Sequence, residues 1–278
     1  MYRKIKERIM RSLSALPASK AIEFYIRWRR KSLKVARVQI GSLKYFCDPS
    51  EGVGMELANK GSYEPGTTAI FSSLLTRGIN VVDIGANIGY YTILAARRIG
   101  NGFVFSFEPE PFNFSLLQKN CDENQLRNVR LYRLALSDKR SRSHLYISPT
   151  NSGAHSLLRR GRIFPSIAVE TSSLDLILPD IVVGVIKIDV EGSELQVLRG
   201  MRNTIRKNKN IRMIVEYNPF LLLQAGVGAD YLLNEIESLG FSFRAISERT
   251  GKALPLDHPE IKNELLIEGH VNLVCERR

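Results

Sequence analysis

The stretch Ile79 to Gly89, INVVDIGANIG, limits the possible folds of this chain more than any other segment. Ile79, Val81, Val82 and Ile84 are branched and apolar, as a parallel strand covered on both faces requires. Asp83 stands at the carboxyl end of that strand. Gly85 and Gly89 then bracket a turn, and Tyr90 to Arg98 reads as a helix. A strand, a glycine turn and a helix start form a place where backbone N–H groups can approach a ligand closely. In an open α/β sheet, ligands bind beyond the carboxyl ends of the strands.

The spacing narrows the ligand. Dinucleotide binders use G-x-G-x-x-G, whose middle glycine admits a pyrophosphate. This chain has D-x-G-x-x-x-G, with Asn87 at the middle position. Asp83 beside the turn disfavours phosphate and suits an amino group or a sulfonium. Phe103 to Glu108, FVFSFE, reads as a second buried strand, and its terminal acid follows Asp83 by 25 residues. An acid there is placed to grip both hydroxyls of a ribose. The turn residues Asp83, Gly85, Ala86, Asn87 and Gly89, taken with Glu108, describe a site for a nucleoside with a charged, non-phosphate tail. S-adenosylmethionine (SAM) fits that description. Val129 to Leu136 reads as a third strand, and Asp138 at its edge either meets an adenine amino group or caps a turn.

The length of 278 residues allows one large α/β domain with an appendage. Cys47, Cys121 and Cys275 are far apart and form no C-x-x-C pair. That argues against a zinc site or a disulfide framework and suits a reducing, cytoplasmic compartment. No apolar run approaches the ~18–20 residues that span a bilayer, and the basic N-terminus lacks the apolar core of a secretory signal.

The net charge of +12 is a local feature. Residues 1–44 carry +11 of it and residues 45–278 carry +1. The expected division is therefore a basic helical extension over 1–44 and one domain over 45–278. A nearly neutral body weakens the case for a nucleic-acid partner. Residues 1–37 read as one or two helices broken at Pro17. Ile22, Tyr25, Ile26 and Trp28 form an apolar face beside Arg27, Arg29, Arg30 and Lys31. Such a helix either lies on the inner face of an anionic membrane, each basic residue contributing ~1 kcal/mol, or packs on the domain with its basic face solvated.

The remaining pattern alternates. Val38 to Asp48 reads as a strand or hairpin, and Gly52 to Thr68 as a glycine-rich polar segment. A helix then begins at Pro65, with Glu64 as its cap in preference to a pocket-lining role, and closes at Gly78. A helix over Phe112–Glu123 follows the second strand. Ser143 to Ser148 and Ile167 to Thr171 read as short strands around a long connection that holds Asn151 to Leu157 and the arginines 159, 160 and 162. Its length marks a functional insertion, and its arginines suit an anionic group on a substrate or a solvated loop. Val182 to Val190 is a fourth strand, Glu191 to Lys207 a helix and Ile211 to Tyr217 a fifth strand. A helix over Tyr231–Leu239, a sixth strand over Phe241–Ile246 and a last strand over Val271–Cys275 complete the chain. Strands alternating with helices imply a doubly wound, mostly parallel sheet.

Six blocks, DIGANIG from Asp83, FEPEP from Phe107, ALSD from Ala135, NSGAHS from Asn151, KIDVEG from Lys187 and VEYN from Val215, occur in order between about Tyr63 and Ile246. Together they resemble the FkbM family of SAM-dependent methyltransferases. The resemblance implies a class I methyltransferase, Rossmann-like sheet of seven strands with the last antiparallel. It also implies O-methylation of a hydroxyl on a sugar, glycan or secondary metabolite. By carry-over, Asp83, Gly85 and Gly89 would cradle the methionine end of SAM, Glu108 the ribose and Asp138 the adenine side.

Methyl transfer to an alcohol is aided by a base or a metal. His155, flanked by Gly153, Ala154 and Ser156, is the first candidate base. Asp189, Glu216 and Asn218 converge at the carboxyl ends of the fourth and fifth strands and form the second candidate group. They would act without metal, Asp189 as base or orienting group, or as oxygen ligands of Mg²⁺; the metal-free form is the preferred expectation. The competing readings are an RNA or protein methyltransferase and a non-catalytic module on a degenerate methyltransferase fold. The basic arm favours the former, but Glu216-Tyr217-Asn218-Pro219 departs from the N-P-P-Y type motif of base methylation. Intact Asp83, Gly85, Gly89 and Glu108 argue against the latter.

Overall fold

Branched apolar residues dominate the central strands, and a computed structural model places them in one large sheet. It describes residues 34–148, 151–158 and 166–278. The expected basic helices fall almost wholly outside the described residues, as do arginines 159, 160 and 162. The first described element is β1 (Ala36–Ile40), which pairs antiparallel with β2 (Leu43–Cys47). This hairpin straddles the expected boundary at residue 44. Helices α1 (Gly52–Lys60) and α2 (Pro65–Leu74) follow.

The chain then alternates through β3 (Val81–Ile84), α3 (Tyr90–Arg98), β4 (Val104–Phe107), α4 (Pro111–Glu123) and β5 (Val129–Tyr132). It leaves the main sheet for β6 (Ala135–Leu136), β7 (Ser141–Tyr146) and β8 (Ser166–Ser172). It returns through α5 (Leu174–Ile177), β9 (Val185–Ile188), α6 (Glu194–Arg199), α7 (Arg202–Lys207) and β10 (Arg212–Tyr217). The last elements are α8 (Pro219–Gln224), α9 (Ala229–Ser238), β11 (Phe241–Ile246), β12 (Ala253–Leu254), α10 (Pro259–Glu268) and β13 (Val271–Arg277).

The main sheet has the order β12-β11-β13-β10-β9-β3-β4-β5. Strands β5, β4, β3, β9 and β10 run parallel, and β13 inserts antiparallel between β10 and β11. This is the doubly wound class I sheet that the sequence implies, with the two-residue β12 as an eighth strand at its edge. Every residue of β3 and β9 is buried. The period of two assigns Val82, Ile84, Ile186, Ile188 and Val215 to one apolar layer and Val81, Val185 and Ile214 to the other. Full burial of each such side chain contributes about 1.5–3 kcal/mol. Among the described residues no helix is long and apolar enough to cross a membrane.

Several elements differ from their sequence expectations. The single strand expected over Val129–Leu136 is two, β5 in the main sheet and β6 beside β8 in a three-stranded sheet. Tyr132 stacks on Phe107 at 4.7 Å, after which the chain changes sheets across Arg133 and Leu134. The helix expected over Glu191–Lys207 starts later and breaks at Gly200, where a Cβ would overlap the Ser137 carbonyl. The polar segment after Gly52 contains α1, which buries Val53, Gly54 and Leu57 and ends at left-handed Gly61. Helix α2 ends at Leu74, so Gly78 turns the chain into β3 and does not close the helix. Helices α8 and α10 were not anticipated; each has proline in its first turn and a side-chain cap, from Asn218 and His258.

Candidate active site

A cavity of about 790 Å³ opens beyond the carboxyl ends of β3, β4, β9 and β10. The Gly85–Gly89 turn and Glu108 line one end of it, and His155, Asp189, Glu191 and Glu216 line the other. Gly85 and Gly89 have φ of 83° and 92°, in the left-handed region that glycine enters without strain. A Cβ on Gly85 would overlap the Asp189 carbonyl oxygen, so the turn packs directly on the end of β9. Asn87 is also left-handed, at φ 51°, a conformation that asparagine tolerates better than most residues.

Asp83 is 2% exposed, and its Oδ2 accepts a hydrogen bond from Thr92 Oγ1 at 2.6 Å. Burial pushes its pKa up from 3.8 to about 6, against the opposing pull of Thr92 and Lys187. Glu108 accepts from the Asn87 backbone N–H on Oε2 and from the Glu110 N–H on Oε1, each at 2.8 Å. Burial raises its pKa to about 8. Each Glu108 oxygen retains a lone pair beyond the backbone bond, so the pair can still accept from two vicinal hydroxyls. Asn87 Oδ1 is buried with no hydrogen-bond partner among the described residues, and Asn87 lines the same end of the cavity. This donor and acceptor set fits a nucleoside. Asp138 is exposed and does not line the cavity; Leu134, Ala135 and Leu136 do.

At the other end, Lys187 is 1% exposed. Its Nζ lies 2.8 Å from Asp189 Oδ2 and 4.6 Å from the Tyr91 ring centroid. Burial opposes its charge, but Asp189 and Glu64 outweigh burial and raise its pKa. Glu64 stands at the N-cap position of α2 with φ 43° and makes no side-chain cap. Its carboxylate accepts instead from Tyr91 Oη at 2.6 Å and Asn272 Nδ2 at 3.2 Å. Glu64 thus lines the cavity and is not the cap that the sequence favoured.

Carboxylate oxygens of Asp189, Glu191 and Glu216 lie within 4.8 Å of one another. Burial, then the charges of Asp189, Glu191 and Glu194, push the Glu216 pKa well above the carboxylate range. Asn218 lines the cavity, but its Oδ1 is engaged in capping α8 through the Leu221 N–H at 3.1 Å. Glu191, which the sequence did not single out, joins Asp189 and Glu216 in the cluster. The signal for Glu191 was the glycine that follows it: Glu191 and Gly192 are both left-handed, with φ of 56° and 98°, and this bend sets Glu191 beside Asp189. Glu194 Oε1 fixes the bend by accepting from the Gly192 N–H at 3.0 Å. Lys187 and Asn272 were also missed, because nothing in a sequence pairs an interior strand lysine or a distant asparagine with an acid.

His155 is 9% exposed and reaches the cavity from the insertion. Its Nδ1 accepts from the Ser148 N–H at 3.1 Å. The neutral ring therefore carries its hydrogen on Nε2, which makes that nitrogen a donor and removes the lone pair expected of a base. Ser156 Oγ donates to the Glu191 carbonyl at 2.6 Å, tying the insertion to the acidic bend.

The chain matches the methyltransferase FkbM domain over residues 83–243, more than half of its length. It is similar to the hexuronic acid methyltransferase AglP of Haloferax volcanii, with 33% identity over 128 residues, 45% of this chain and 50% of that protein. Methyltransferase 1 of Beauveria bassiana is 25% identical over 143 residues, 44% of this chain and 57% of that protein. The chain thus spans about half the length of the curated relatives it matches. A TehB-like SAM-dependent methyltransferase structure from Corynebacterium glutamicum is 11% identical, with a TM-score of 0.47 over 81% of this chain and 94% of that one. The matched domain begins at Asp83 and contains Glu108, His155, Asp189, Glu191 and Glu216, and the chain belongs to the FkbM methyltransferase family.

Proposed function

We propose that this protein is a SAM-dependent O-methyltransferase acting on a hydroxyl of a sugar, glycan or secondary metabolite. One observation carries the reading: a single cavity joins the nucleoside-fitting end at Asn87 and Glu108 to a carboxylate-lined end at Asp189 and Glu216. SAM, held there by the Gly85–Gly89 turn and Glu108, would supply a methyl group already activated on a sulfonium. The chain's own residues do the rest. Glu108 holds the ribose diol, and the turn at Gly85 holds the amino acid tail, with Asp83 buttressing it from below. Asp189, 23% exposed and held on one oxygen by Lys187, takes the proton that the hydroxyl releases. His155 donates from Nε2 to an acceptor oxygen and orients it. Alignment of the two reactants supplies up to ~7–11 kcal/mol in ideal cases.

A sugar acceptor is supported by the hexuronic acid methyltransferase among the relatives and by the polar character of the acceptor end. The test has two parts. Calorimetry with S-adenosylhomocysteine checks the cofactor site. Mass comparison of glycans, glycolipids and metabolites from the native host, with and without the gene, identifies the acceptor. A species lighter by one methylene in the deletion strain, with the methyl mapped to oxygen by NMR, is the expected outcome. A methyl lost from RNA or protein instead, or no binding of S-adenosylhomocysteine, overturns the proposal.

A further inference from the structure

The carboxylate-lined end of the cavity holds two buried oxygens with no partner among the described residues. Lys187 is committed to Asp189 Oδ2, and the carboxylates of Glu191 and Glu216 stand within 4.8 Å of Asp189. Glu216 is 6% exposed, yet its Oε2 has no hydrogen-bond partner among the described residues. A second buried oxygen stands beside it. Asn272, 3% exposed, lies opposite Glu216 in the β10–β13 ladder. Residues directly opposite in such a ladder point to the same face, with Cβ atoms about 4.5–5.5 Å apart. Asn272 gives its amide N–H to Glu64, and its Oδ1 has no partner among the described residues. Two buried oxygens on adjacent strands that face one acidic cavity, each lacking a donor, are a costly arrangement unless a cation completes it.

We propose that Asp189, Glu191 and Glu216, with Asn272 Oδ1 beside them, form a binding site for one hard divalent cation that anchors the acceptor's oxygen atoms, Asp189 Oδ1 turning one lone pair to the cation and keeping the other for the hydroxyl proton. The ligands are carboxylate and amide oxygens, the set that hard cations take. The spacing suits a single ion. Two oxygens across one ion are separated by at most twice the metal–oxygen distance, about 4.2 Å for Mg²⁺ and about 4.6–5.2 Å for Ca²⁺. Carboxylate oxygens that all lie within 4.8 Å of one another are close enough for one such ion to draw together. The cation also explains how an acidic pocket can receive an oxygen-rich or carboxylate-bearing acceptor. The site stands on its own geometry; its part in anchoring the acceptor rests on the function proposed above.

The test uses the whole chain, stripped of metal with EDTA and dialysed. Mn²⁺ is titrated in while the electron paramagnetic resonance signal of the free ion is followed, and Ca²⁺ and Mg²⁺ are added as competitors. S-adenosylhomocysteine binding is measured on the same samples. The expected result is one Mn²⁺ per chain, displaced by Ca²⁺ and by Mg²⁺. Glu216→Gln and Asn272→Ala should weaken Mn²⁺ binding at least tenfold while S-adenosylhomocysteine still binds. No Mn²⁺ binding at millimolar concentration, or binding that Glu216→Gln and Glu191→Gln leave unchanged, overturns the site. Mn²⁺ binding without S-adenosylhomocysteine binding supports the cation site and overturns instead the function on which its role rests.

Discussion

Asp189 shows how much depends on single side chains. One of its oxygens meets Lys187 at 2.8 Å, and in the function proposed above the other faces the acceptor. Asp189→Asn keeps the size of the side chain and removes its basicity. The expected outcome is a kcat lower by ~10²–10⁴-fold with S-adenosylhomocysteine affinity unchanged, read by steady-state kinetics and calorimetry. Asp83 and Glu108 give the free protein a pH signature. In the fold Asp83 titrates at about 6 against 3.8, and Glu108 at about 8 against 4.5. The folded chain therefore holds more protons than the unfolded chain between those values, and stability falls as pH rises through that window. Urea midpoints should decline from about pH 4 to about pH 8, and Glu108→Gln should flatten the decline. Hydroxyl donors from a ribose favour the charged carboxylate. Affinity for S-adenosylhomocysteine should therefore increase toward about pH 8 and then level off.

Among the elements, the turn after β3 tolerates change least. Gly85→Ala puts a Cβ into the Asp189 carbonyl at a φ of 83°. Left-handed strain and overpacking together should cost about 2–5 kcal/mol, measured as a loss of unfolding free energy in urea. This turn was fully legible in the sequence, because glycine is the residue such geometry demands. The strands were legible for a similar reason: their branched residues have few other places to go. Less legible were features decided by partners far along the chain. The stretch from Val129 to Leu136 carries Arg130 inside β5 as well as Arg133 where it changes sheets, so a charged residue does not single out the switch. Helix α1 hides in a polar stretch because close packing of Gly54 on Asp48, and not a continuous apolar stripe, seats it. The hairpin's anchor was invisible as well. Asn120 and Asn124 reach from α4 to the Phe46 and Lys44 backbone groups at 2.6–3.1 Å, and so act as a substitute strand edge. At the site, Asp83, Glu108, Asp189 and Glu216 were read from their places at strand ends. Glu64 was read as a cap because its sequence position is one, and only the tertiary bonds to Tyr91 and Asn272 reveal the other use.

At the scale of the whole molecule, the cavity draws lining residues from β3, β9, β10 and β13, so filling it is linked to global unfolding. S-adenosylhomocysteine at a hundred times its Kd should add about 2.7 kcal/mol, which raises Tm by about 5–10 °C in a chain of this size. Differential scanning fluorimetry should record that shift, and NAD should leave Tm unchanged. The placement of β13 has a further consequence, for the order of assembly. Its ladder joins Glu216 to Asn272, and the bond from Asn272 to Glu64 closes a sequence separation of 208 residues. Contacts of such long range form late and slowly in folding. A chain that has collapsed without β13 presents the bare edges of β10 and β11, which are templates for aggregation. Seating this one strand therefore both covers those two edges and brings Asn272 opposite Glu216, so protection of the sheet and completion of that end of the cavity come in a single event.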